Sequence, residues 1–228
     1  MATHLDLEEQ EQLDQLKAFW KQYGNLITWV LILALGGYAG WMGWNNWKRE
    51  QSVKAGVLFE ELEKAAQAGD LDKTARVFGD MKERFGGTGY AQQSALLTAK
   101  LQHDKGQAEA ARTTLAWAAD NASEDEYRTV ARLRLAGLLL DEKKYDEALK
   151  QLDGAGSKEF AGLVADRRGD VLLAQGKKDE AKAAYLQAWK TLEETVEYRR
   201  IVEAKLAVLG AAPAAEVPKT APISGAGK

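Results

Sequence analysis

Few side chains in this sequence are spaced to do chemistry. The two histidines, His4 and His103, lack the spacing of a metal pair. There is no cysteine, which excludes thiol catalysis, disulfides and cysteine-ligated metals. Ser94 and Ser157 could be nucleophiles only if a base and its orienting acid met them in space, because none lies nearby in the chain. The paired acids Glu60-Glu61, Asp179-Glu180 and Glu193-Glu194 could share a proton, yet each lies in an amphipathic pattern where carboxylates form a solvated face. Gly86-Gly87-Thr88-Gly89 has the glycines of a phosphate loop without the lysine that should follow, and reads as a linker. No catalytic residue, cofactor or metal site is expected, so the chain reads as a non-enzyme.

What remains is the chemistry of contact, and two kinds of element must position it. The first is an apolar segment. From Gln22 to Trp47 no side chain is charged, and Leu26 to Trp44 reads LITWVLILALGGYAGWMGW. As a helix those residues reach roughly 28 Å, close to the ~30 Å hydrocarbon layer of a bilayer. Trp20 and Tyr23 stand before it and Trp41, Trp44 and Trp47 at its end, where amphipathic rings sit at headgroup level. Lys17, Lys21, Lys48 and Arg49 bound it. The leader carries Asp6, Glu8, Glu9, Glu11 and Asp14 against two lysines, which is unlike the short positive leader of a cleaved signal peptide. Residues 22–47 are therefore expected to be a single transmembrane anchor, preceded by an amphipathic leader over 1–21 with Leu13, Leu16, Phe19 and Trp20 on one side. Gly36 and Gly40, four apart, could let a neighbouring membrane helix approach closely.

The second element is a helical repeat over 48–209. All three prolines fall at Pro213, Pro218 and Pro222, so the body can be helical throughout. The formal charge of −3 is accounted for by the five acids and two lysines of the first 47 residues, leaving a neutral body with no electrostatic footprint for nucleic acid. Ala136 precedes Ala148 by twelve residues, as Gly169 precedes Ala181, and these two units are offset by 33. A weaker copy runs from Ala99 to Ala111, shifted by 37, with the difference assigned to a loop at Asn121–Tyr127. A unit of about 34 residues with small side chains where paired helices cross is the tetratricopeptide pattern, and such units bury their apolar faces by stacking. The expected fold is all-α: one N-terminal transmembrane helix followed by a tetratricopeptide-like helical-hairpin solenoid.

The expected repeats are 91–119, 128–153 and 160–190. A degenerate pair at 52–85 precedes them, with stripes Val57, Leu58, Leu62, Ala65 and Leu71, Ala75, Phe78, Phe85, broken at Gly69. A cap at 195–209 carries Val196, Ile201, Val202, Leu206 and Leu209, and the Ala/Pro/Gly-rich 210–228 should be disordered.

The order of parts resembles the YfgM-type family of ancillary SecYEG translocon subunits. The matching residues are Leu7-Glu8-Glu9-Gln10-Glu11-Gln12-Leu13 with Leu16-Lys17 and Trp20, then Gly40-Trp41 and Trp47. In the repeats they are Gly169-Asp170, Gly176, Ala181, Ala184-Tyr185 and Ala188. The resemblance covers residues 1 to about 209. It implies a single-pass protein of the bacterial inner membrane with a cytoplasmic N-terminus. Its periplasmic repeat domain would associate with SecYEG and with a PpiD-like periplasmic chaperone, to which it would pass translocated proteins. The charges point the other way: Lys17 and Lys21 precede the span, while Lys48, Arg49, Lys54 and Lys64 follow it, which favours a cytoplasmic body. A membrane-tethered adaptor or regulator scaffolding another envelope complex is the alternative.

In the tetratricopeptide register the concave face is formed by Gln93, Leu96, Lys100 and His103, then Val130, Leu133, Gly137 and Leu140, then Leu163, Asp166, Asp170 and Leu173. A carboxylate clamp would need several basic side chains there, and only Lys100 qualifies. The expected partner site is instead apolar: Leu133, Gly137, Leu140, Leu163 and Leu173, unless these pack against neighbouring repeats or the cap.

Overall fold

The structure, a computed structural model, describes residues 7–193, 195 and 197–211. His4, Val196 and the tail beyond Ala211 lie outside the described residues. Nine α-helices and one 3-10 turn run in order, with no strand among the described residues: α1 Leu7–Gln67, α2 Leu71–Phe85, α3 Gly89–Asp104, α4 Ala108–Asn121, α5 Asp125–Asp141, α6 Tyr145–Asp153, a turn at Lys158–Phe160, α7 Ala161–Ala174, α8 Lys178–Thr191 and α9 Tyr198–Val208. The chain divides into one unit up to Lys54 and another from Ala55.

The first unit holds the apolar part of α1, the one helix among the described residues long and apolar enough to cross a membrane. Its large side chains, including Leu26, Trp29, Leu33, Trp41 and Trp44, are exposed, and none of the 18-residue apolar window is buried within the protein. At one end Trp20 lies over Gly24, where an added Cβ would meet the indole at 3.2 Å. At the other, Trp44 stacks on Trp47 at 5.1 Å and Lys48 lies 5.7 Å from the Trp44 ring. Trp47 to Lys48 marks a change of side-chain chemistry; α1 itself is unbroken there, because nothing between them stops a helix.

The second unit is a row of helix pairs. Consecutive helices pack on one another, and the first helices of successive pairs also touch, α3 with α5 and α5 with α7. Each pair turns in the same way. Gly69, Gly106 and Gly176 take positive φ of 68°, 75° and 81°, and Lys143 takes 61° at the equivalent place. Between α5 and α6 the Lys143 N–H donates to the Leu140 carbonyl at 2.9 Å and the Lys144 N–H to the Leu139 carbonyl at 2.8 Å. The same two bonds recur at Gly176/Lys177, Gly106/Gln107 and Gly69/Asp70, so each pair satisfies its helix-end carbonyls by one left-handed closure.

The small residues sit where the spacing places them. Ala99, Ala111, Ala136, Ala148 and Ala181 are buried, and a Cβ on Gly169 would fall 2.4 Å from the Tyr185 ring. Around them Leu135, Leu139, Leu152, Leu172 and Tyr185 are buried.

Other expectations are corrected. Val57 is 69% exposed, and the buried side of that stretch is Ala55, Leu62 and Ala65 with Leu58 partly covered. Ala75 is exposed while Thr74 is fully buried, since the stripe of α2 runs Thr74, Val77, Phe78, Met81, Phe85. A threonine fits there because its hydroxyl donates to the Asp70 carbonyl at 2.7 Å. Asp125 to Tyr127 belong to α5 rather than a loop, so the longer first period lies in longer helices, α4 running Ala108–Asn121 where α6 runs only Tyr145–Asp153. On α9, Val202 and Leu206 are fully buried, whereas Ile201 is half exposed.

Candidate functional site

Helices α3, α5 and α7 line a groove of about 590 Å³, with Leu115 of α4 in its floor and Tyr198 of α9 at its end. Its lining is Ala99, Lys100, His103, Leu115, Leu133, Arg134, Gly137, Leu138, Asp141, Leu163, Arg167 and Tyr198. Of the expected partner residues, the groove brings together Leu133, Gly137 and Leu163. Leu140 lies outside it, partly buried against the cluster around Leu135, Leu139 and Val171. Leu173 also lies outside, packed against the cluster that α9 completes. Gly36 and Gly40 are on α1, where an added Cβ on either would meet nothing within 4 Å.

The C-terminal end of the expected concave stripe is covered. Asp166 is 1% exposed, and its two oxygens each accept from Lys205 Nζ at 2.8 Å while Oδ2 also accepts from the Tyr198 hydroxyl at 2.6 Å. Asp170 accepts from the same lysine at 2.6 Å and from the Tyr185 hydroxyl at 2.8 Å. Burial, reinforced by these carboxylates, pushes both tyrosine hydroxyls well above their ordinary pKa. The cluster thus fastens α9 across α7 and sets Tyr198 at the groove's end.

The sequence reading missed Arg134 and Arg167. The Arg134 guanidinium donates to the Leu96 carbonyl at 3.0 Å, and desolvation by the groove walls lowers its pKa from the ordinary arginine value. Arg167 Nη1 stands 3.6 Å from Asp170 Oδ2, and its guanidinium lies 4.0 Å from where a Cβ on Gly137 would be. These arginines flank the expected stripe by one position, and long side chains reach sideways into it. Their offset of 33 residues, equal to the repeat period, was the available signal. Among the described residues no cluster of three or more potential metal ligands occurs.

A spanning-length apolar helix and a stack of helix pairs with a groove along their first helices define a membrane-tethered repeat protein. The tetratricopeptide repeat-like domain family matches residues 17–211. An ancillary SecYEG translocon subunit of Neisseria gonorrhoeae is 33% identical over 207 residues, 90% of this chain and 98% of that protein. Those of Haemophilus influenzae and Escherichia coli are 29% and 28% identical, covering 80% and 78% of this chain and 89% and 85% of their own lengths. The chain belongs to the family of ancillary SecYEG translocon subunits, the YfgM type, and its N-terminal apolar helix fits a single-pass inner-membrane protein.

Proposed function

We propose that this chain is a non-enzymatic, membrane-anchored interaction module ancillary to a SecYEG translocon, with its N-terminus in the cytoplasm and residues 48–209 in the periplasm. There it passes emerging chains to a periplasmic chaperone of the PpiD kind. The observation that carries the reading is near-complete coverage of a relative named as such a subunit, with the apolar helix inside the aligned length. The tether keeps the groove at high effective concentration beside membrane partners. Gly36 and Gly40 offer the anchor an uncluttered face for a translocon helix, where packing replaces the hydrophobic drive that lipid does not supply. Leu133, Gly137 and Leu163 offer the body a contact for a protein segment.

Replacing the span by an unrelated transmembrane helix should weaken copurification with the translocon and leave a periplasmic partner bound. Leu133→Ser should do the reverse while circular dichroism stays unchanged. Protease added to spheroplasts should digest the body. Full protection would favour the second reading, a cytoplasm-facing adaptor, which the four basic residues after the span support.

A further inference from the structure

Helix α9, the last among the described residues, ends in the turn that elsewhere joins the two helices of a pair. Gly210 takes φ of 67°, its N–H donates to the Ala207 carbonyl at 3.0 Å, and the Ala211 N–H donates to the Leu206 carbonyl at 2.9 Å. The same left-handed residue and the same two bonds close α1, α3, α5 and α7. After each of those closures a second helix begins two residues past the left-handed one, at Leu71, Ala108, Tyr145 and Lys178. Counted from Gly210, that place is Ala212.

The register carries over as well. Five residues past the left-handed position stand Thr74, Ala111, Ala148 and Ala181, all fully buried. Twelve residues before these stand Leu62, Ala99, Ala136 and Gly169, buried too. The corresponding residues at the last turn are Ala215 and Glu203. Ala215 is small, like Ala111, Ala148 and Ala181, and Glu203 on α9 is only partly buried, unlike its four counterparts. Seven residues past the left-handed position Arg76, Thr113, Lys150 and Ala183 are exposed, and their counterpart is Val217. Residues 212–217 suit a short second helix. Pro213 would fall in the first turn, where a missing N–H costs nothing because the first four have no partner within a helix. Pro218 would stop it, since its ring meets the carbonyl four residues back. Alanine at 212, 214 and 215 favours the helix, yet so short a run does not hold in water, and packing on α9 must supply the rest.

We propose that residues 212–217 fold back on α9 as the second half of a fifth helix pair, with Ala215 against Glu203 and Val217 outward. The segment covers a face of α9 that no further unit of the array shares. It does so whichever partner the groove takes.

The sequence has no cysteine, so single thiols can report on each face. Ala215→Cys, Val217→Cys and Glu203→Cys are made separately in the full chain and labelled with iodoacetamide in detergent micelles. The thiol at position 215 should react about tenfold or more slowly than that at 217, since a seated thiol must be exposed before it reacts. Adding Gly210→Val, which puts a β-branched side chain at positive φ, should undo the turn, remove that difference and speed labelling at position 203. Equal rates at 215 and 217, or protection that survives Gly210→Val, would overturn the assignment. Slower labelling at 217 than at 215 would overturn its register. Protection at 215 that disappears on dilution at constant detergent would overturn it too, and make a second copy of the chain the occupant of this face.

Discussion

The two ends of the repeat stack solve one problem with different materials. At the N-terminal end, α2 closes on α3 and α4 through large apolar groups: Phe78, Met81 and Phe85 are buried, and Phe78 meets Trp117 edge-on at 5.4 Å. At the C-terminal end, α7, α8 and α9 close through Ala181, Ala184 and Ala188, with a tyrosine seated on a glycine and an ion cluster around Asp166. Every repeat array must hide the faces its end units cannot share. A bulky dry joint does so by area. The charged joint also fixes orientation, because one lysine must reach two carboxylates, and it is vulnerable to loss of a single partner.

That contrast can be broken from either side. Phe78→Ala in the full chain should cost about 3–5 kcal/mol of unfolding free energy by denaturant titration, the loss of a buried aromatic and the cavity left behind. Lys205→Met should cost about 3 kcal/mol, because Asp166 stays buried without its cation. Adding Asp166→Asn to that variant should recover part of the loss, the coupling expected of two groups sharing one buried ion cluster.

Between the ends, Ala148→Gln and Ala181→Gln should each cost on the order of 1–3 kcal/mol by overpacking a helix crossing. Unchanged midpoints for both would dissolve the shared register of the two units. The charged end should also be the alkali-sensitive one. Tyr185 and Tyr198 have folded pKa values raised above the unfolded value, so their stabilisation is complete below about pH 10 and declines as pH rises further. Replacing both by phenylalanine should flatten stability against pH above that point, measured by denaturant midpoints across the alkaline range. The smallest effect is expected at the turn between α5 and α6. Lys143→Gly should raise stability by about 0.5–1 kcal/mol, since the left-handed position there is held by glycine in the equivalent turns.

The parts legible in the sequence were those written as spacing. Small residues twelve apart located the crossings from Ala99/Ala111 to Gly169/Ala181, and the uncharged run after Gln22 located the membrane-length segment. Faces were harder. Thr74 is a core residue because its hydroxyl has a backbone partner, which composition cannot show, while the apolar Ala75 beside it faces outward. Lys143 conceals a turn that glycine advertises elsewhere. At the groove, Leu133, Gly137 and Leu163 followed from register. Arg134 and Arg167 did not, because a register assigns side chains to faces by their Cα positions and long cationic chains leave their own face. Asp166 was placed in the open since nothing local reveals that α9 folds back over it.

The groove's walls are drawn from Ala99 through Tyr198, so no single helix pair owns it. In an array held by nearest-neighbour contacts, the end units open at lower free energy than the middle. A segment lodged against α3, α5, α7 and α9 at once would couple units that otherwise open independently, and binding would add its free energy to all of them together. Occupancy would then register as cooperativity: a filled groove makes the stack unfold as one block, and an empty one lets its last helix fray first.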